Sequence, residues 1–278
     1  MEFETEGLDR AKFARIAARP APRVEYCIYF TPRSGSSWLT DLARRSGYLG
    51  TPKECFNPNF VPRIARSLGA ADMDEYIRAI RRRFAARGTF GFEVTFYQLR
   101  KTFGAPAPFM ARMGHAVPVW LIREDIVAQA VSLWKMRITG ISHSTNSTDE
   151  TRAQAEAALT YDARGIADNL DHLRKLEQLT ERHFTAFDLA PIRLSYERIM
   201  AEGPARTRAM LAHVLGVAPQ DPEQGDPVHT RIATRANADF AARFRGDNRA
   251  VCTDLDAARA DMLARVCRDW SALPGPGR

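Results

Sequence analysis

Arg33-Ser34-Gly35-Ser36-Ser37 is a run of one fixed cation, three hydroxyls and one glycine. It follows a β-rich apolar stretch, Val24–Phe30, and precedes an apolar helical pattern that begins at Trp38. A strand, a loop of small polar residues and a helix start together make an anion-binding turn. The first amides of a helix lack intrahelical partners, and the helix dipole favours negative charge there. Ser34, Gly35, Ser36 and Ser37 let the backbone approach an anion closely and add hydroxyl donors. Arg33 supplies a planar, permanently charged fork. The chemistry that fits is the holding of a phosphate or sulfate ester. The plainer reading is a strand-to-helix turn with a serine as N-cap.

Two other loop chemistries can be weighed. A Walker A loop needs GxxxxGK[ST], which is absent, and no lysine follows Gly35. The interval Cys27-x5-Arg33 has the spacing of a phosphotyrosine phosphatase loop. The residues between, Ile-Tyr-Phe-Thr-Pro, read as strand and not as a glycine-rich cradle. A thiol among such apolar neighbours has a raised pKa and is inert.

Thr31 to Leu39, TPRSGSSWL, resembles the 5′-phosphosulfate loop of sulfotransferases that use 3′-phosphoadenosine 5′-phosphosulfate (PAPS). Gly50 to Pro58, GTPKECFNP, is similar to the G-x-P-x-E-aromatic-F stretch of the bacterial trehalose 2-sulfotransferase family, which is related to nodulation-factor and lipopolysaccharide sulfotransferases. Phe90 to Val94 resembles that family's second core strand. Val117 to Gly140 resembles its 3′-phosphate segment, and Leu194 to Glu197 its late strand and Tyr-Glu element. Two departures stand near the expected acceptor pocket. Cys55 occupies a position that is usually aromatic, and Glu93 one where the trehalose enzyme has lysine. Trehalose itself is therefore not assigned as the acceptor.

The resemblance implies a P-loop-like sulfotransferase fold, PAPS as donor, no metal, and a carbohydrate or glycolipid hydroxyl as acceptor. It implies a homodimer as well. Arg33, with Ser34, Gly35, Ser36, Ser37 and Trp38, would hold the 5′-phosphosulfate, although Trp38 also suits a core position. Arg123 and Ser132 would hold the 3′-phosphate. Arg231 matches an arginine of the family's C-terminal loop near the nucleotide. Glu54 would be the general base, since removing a proton from a sugar hydroxyl needs a carboxylate aimed at that oxygen. Glu93 and His143 are the next candidates. The six histidines show no paired metal spacing. Two rival classes are a nucleotide-binding protein of the same fold without activity and a P-loop-like small-molecule kinase.

The elements that must position these residues can be read from periodicity. Four short runs read as buried strands: 24–30, 90–96, 117–122 and 191–195. Helical patterns cover 72–86, 126–138, 150–183 and 204–215. Alternating strands and helices imply an α/β fold with a central parallel sheet covered on both faces, whose ligands bind at the carboxyl ends of the strands. Arg33 and Arg123 each follow a strand directly, so both fall at that edge. Segments 140–150 and 218–230 read as long polar loops, and 270–278 as a frayed tail.

The 278 residues, 45% of them hydrophobic, suffice for one sulfotransferase domain spanning 1–278, with 1–23 as an N-terminal extension. The net charge is +7, yet the basic residues are dispersed among Asp and Glu and accompany no nucleic-acid motif. The charge is read as attraction for an anionic nucleotide, with no nucleic acid as partner. Four cysteines without CxxC suit a reducing compartment, and the simplest location is cytoplasmic. No signal peptide or transmembrane run is visible. Leu8 to Arg19 can form a basic amphipathic helix, read as packed on the domain.

Overall fold

The computed structural model describes residues 3–141, 148–219, 225, 227–228, 235–273 and 275. Four described strands form one sheet: β1 Val24–Phe30, β2 Thr89–Val94, β3 Val117–Ile122 and β4 Ile192–Ser195. The order is β2-β1-β3-β4 and every pairing is parallel. The chain leaves β1 for β2 on one side and then crosses to β3 on the other. The strand order thus reverses between β1 and β3, and a ligand crevice is expected beyond their carboxyl ends.

β1 is buried on both faces, as a central parallel strand must be. Cys27 and Tyr29 join one apolar cluster, with Phe56, Phe90, Phe92 and Trp120. Tyr26, Ile28 and Phe30 join the opposite one, with Leu39, Leu42, Leu121 and Leu211. Each such side chain removed from water contributes about 1.5–3 kcal/mol. The first layer draws on helices α1 Arg10–Ala17, α3 Val61–Leu68, α4 Met73–Arg83, α5 Phe96–Phe103 and α6 Pro106–Met113. The second draws on α2 Ser36–Arg45 and α10 Tyr196–Leu215. A third cluster joins α7 Ile126–Thr139, α9 Ala163–Ala186, α11 Arg235–Asp247 and α12 Arg249–Ala264. The remaining described α-helix is α8 Asp149–Ala157, and a short 3-10 helix spans Trp270–Ala272.

The strand expected over 90–96 ends at Val94, because Thr95 caps α5 in a reciprocal capping box with Gln98. The pattern over 150–183 divides into α8 and α9, and Asp162 caps the second. The helix expected from Pro204 starts at Tyr196. It is broken at Gly203 (φ 76°, ψ 176°), so that Pro204 begins a fresh helical run, the position proline tolerates. Helix α1 buries Phe13 and Ile16 and packs on α3 and α4, and Arg10 pairs with Glu75 at 2.6 Å. Among the described residues no helix is long and apolar enough to cross a membrane.

Candidate active site

The turn after β1 is built from backbone. Arg33 has φ 67° and Gly35 φ 91°, so the chain curls tightly before α2, with Ser34 N donating to Thr31 O at 3.2 Å. A methyl group on Gly35 would lie 2.4 Å from the Tyr196 ring, which leaves glycine as the residue that fits. Gly35 is the N-cap of α2 and no side chain caps that helix. The serine cap of the plainer reading is therefore not what ends this turn. Ser34 is fully buried and its Oγ has no hydrogen-bond partner among the described residues. Gln129 of α7 clasps the turn from outside, donating from Nε2 to Thr31 Oγ1 (2.8 Å) and Pro32 O (2.7 Å). Ser37 and Trp38 are half-buried, and Trp38 packs on the Leu39–Leu42 side of the core.

The turn after β3 is built from side chains. Arg123 leaves the strand end and donates from Nη1 to Arg33 O at 3.3 Å. Arg33 Nε donates to Ser132 Oγ at 3.1 Å. Arg33, Arg123 and Ser132, ninety-nine residues apart at the extremes, thus meet at one edge of the sheet. The Arg123 guanidinium lies over the Tyr196 ring, 4.9 Å from its centroid. Burial, then the charge of Arg123, pushes the Arg33 pKa below its ordinary value. Two guanidiniums held together out of water are relieved by an anion between them. Glu197 meets part of that need, 3.7 Å from Arg123 Nε, yet it also accepts from the amides of Glu124 (2.9 Å) and Asp125 (3.3 Å). Arg123 Nε itself makes no hydrogen bond among the described residues. The orphaned Ser34 Oγ and Arg123 Nε are the donors that a phosphate- or sulfate-bearing ligand would satisfy.

Behind this turn sits Arg259 of α12. It is buried, pairs with Glu177 of α9 through two 2.8 Å bonds, and donates to the carbonyls of Glu124 (2.8 Å) and Arg123 (2.7 Å). Ser195 Oγ donates to Glu124 Oε1 at 2.6 Å, and Asp125, which caps α7, pairs with Arg245. Nothing in the sequence pattern singled out Arg259 or Glu177, and Gln129 and Glu197 stood within quoted segments that did not show these contacts. Their partners lie 72 to 136 residues away.

Two carboxylates stand near the carboxyl end of β2. Glu54 accepts at Oε2 from Asn57 Nδ2 (2.7 Å) and from Gln98 Nε2. Its Oε1 has no hydrogen-bond partner among the described residues, so one oxygen is fixed while the other remains available. Glu93, at the end of β2, is buried and hydrogen-bonds Ser36, the first residue of α2. Burial, then the charge of Glu54, pushes its carboxyl up to about 8, against the effect of Ser36. Both effects favour the protonated form of Glu93. Glu54 and Glu93 line one cleft of about 570 Å³. Cys27 is buried, and burial pushes its thiol well above its ordinary value, which rules it out as a nucleophile. Cys55 is buried too, its thiol pushed up to about 12.

The family model described as Stf0 sulphotransferase matches residues 97–247, just over half of the chain. The chain belongs to the Stf0 sulphotransferase family. The four-stranded parallel sheet with helices on both faces is consistent with the sulfotransferase fold. The matched range includes β3, Arg123, Ser132 and Glu197 but not the 31–38 loop, Glu54 or Glu93. No curated protein matches the chain significantly. Within this sulfotransferase the structure brings together Arg33, Ser34, Gly35, Ser36, Arg123 and Ser132. Through the Ser36–Glu93 contact it joins them to Glu54. Arg231 and His143 lie outside the described residues.

Proposed function

We propose that the protein transfers the sulfuryl group of PAPS to a hydroxyl of a carbohydrate or glycolipid, and that it works as a homodimer. The observation that supports this most is the convergence of Arg33, Arg123 and Ser132 where strand order reverses. That convergence provides two fixed cations, a hydroxyl and uncapped helix amides at one place. A donor with phosphates at both its 5′ and 3′ positions needs such a distributed set.

The chain's residues then have separate tasks. The α2 amides, Ser34 and Arg33 hold the 5′-phosphosulfate and offset charge that grows on the bridging oxygen. Arg123, with Ser132 alongside, holds the 3′-phosphate. Glu54 takes the proton of the acceptor hydroxyl as its oxygen bonds to sulfur. The bond from sulfur to the bridging oxygen breaks, and 3′-phosphoadenosine 5′-phosphate leaves with that electron pair. Asn57 and Gln98 fix the Glu54 Oε2 so that Oε1 can face the hydroxyl, the positioning such catalysis depends on.

Transfer of labelled sulfate from PAPS tests the reaction, and ATP in place of PAPS tests the kinase alternative. Glu54→Gln keeps an oxygen for Asn57 and Gln98 and removes only the base. The expected result is a fall of about 10²–10⁴ in kcat with donor affinity unchanged. A variant within a few-fold of wild type would move the base elsewhere.

A further inference from the structure

The cleft that Glu54 and Glu93 share is walled by four cations: Lys12, Lys53, Arg63 and Arg83. They come from α1, the 50–58 segment, α3 and the last residue of α4, so this is a convergence and not one solvated helix face. On the same helices Arg10 pairs with Glu75, Arg66 with Glu4 and Arg81 with Glu25. None of the four cleft cations has an ion pair among the described residues. Three of them lie against aromatic faces instead. Lys53 Nζ is 4.7 Å from the Phe84 centroid, Arg83 Cζ is 5.9 Å from the same ring, and Arg63 Cζ is 5.8 Å from that of Phe60.

Cations outnumber carboxylates four to two around this space. Like charges gathered at a concave wall focus their field on what enters. The donor's own phosphates have a separate place, at the turns after β1 and β3. The cleft adjoins that place through the contact of Glu93 with Ser36. Its volume lies within the range of small-ligand sites, and Phe60, 38% exposed, offers an apolar face to a sugar ring.

We propose that this cleft receives the acceptor, and that the acceptor is an acidic saccharide whose phosphate or carboxylate is held by Lys53, Arg63 and Arg83 while Glu54 meets the hydroxyl. The inference rests on the sulfotransferase reading above. The test is calorimetric titration of the protein, saturated with 3′-phosphoadenosine 5′-phosphate, with trehalose, trehalose 6-phosphate and the corresponding 6-carboxylate. At least one charged probe is expected to bind tenfold or more tightly than trehalose, and the stronger of the two identifies the acid. Lys53→Ala and Arg63→Ala should each erase threefold or more of that advantage, with the nucleotide affinity and the melting temperature unchanged. Equal binding of neutral and charged probes, or a preference that survives in both variants, overturns the proposal. Failure of the nucleotide to bind strikes the donor assignment alone. The same three titrations without nucleotide then decide the cleft.

Discussion

The turn after β1 takes its shape from its own backbone, through positive φ at Arg33 and Gly35, whereas the turn after β3 is shaped by side chains from α9, α10 and α12. The first concentrates its chemistry in consecutive residues. The second has one cation, Arg123, whose direction is set by Glu197, Tyr196 and the carbonyl grip of Arg259. A site of the first kind tolerates change in its surroundings and little change within. A site of the second kind depends on its surroundings as well as on its own cation.

Arg259→Ala should break this contrast most forcefully. It strands Glu177 as a buried lone charge and frees two buried carbonyls, so urea unfolding should show a loss of about 3–5 kcal/mol. The double replacement Arg259→Met with Glu177→Leu removes the stranded charge and should recover most of that stability. Affinity for 3′-phosphoadenosine 5′-phosphate should remain weakened, because the carbonyls of Arg123 and Glu124 still lack their donor. Full nucleotide affinity in the double variant would show that Arg259 does not shape the turn.

Arg123→Ala should cost about 1.5–3 kcal/mol in binding of 3′-phosphoadenosine 5′-phosphate, the loss of a charge-assisted contact. Adenosine 5′-phosphosulfate, which lacks the 3′-phosphate, should bind variant and wild type alike. Arg33→Ala should weaken both ligands. If the two arginines behave identically toward both ligands, the division between the turns disappears.

Gly35→Ala tests the backbone-built turn. Positive φ in a residue with a Cβ, together with the Tyr196 contact, should cost roughly 1–3 kcal/mol, read as weaker nucleotide binding. Adding Tyr196→Ala relieves the contact and leaves the φ, so recovery should be partial. Gln129→Ala should have the smallest effect, about 1 kcal/mol of stability, since it removes two hydrogen bonds to a turn that already holds itself.

The same contrast explains what could be read from the chain. The sequence determined the local features: β1 as a doubly buried strand, the Arg-Ser-Gly-Ser-Ser turn, the parallel α/β class and the arginine at the end of β3. Each is written in consecutive residues, through apolar runs, breakers and the conformational freedom of Gly35. The start of α10 at Tyr196, the early end of β2 at Thr95 and the split between α8 and α9 were less legible, because capping side chains and one glycine decide them. Only the tertiary structure decided that Glu93 lies against Ser36, that Gln98 fixes Glu54, that Tyr196 lies between Gly35 and Arg123, and that Arg259 supports the second turn. These contacts join elements far apart in the chain, and a lone Glu, Gln or Arg has no periodicity to announce its partner. The net charge of +7 likewise gave no position. Folding set four of those cations around one cleft beside the candidate base: close packing of α1, α3 and α4 fixes where three of them emerge, and the 50–58 segment adds Lys53.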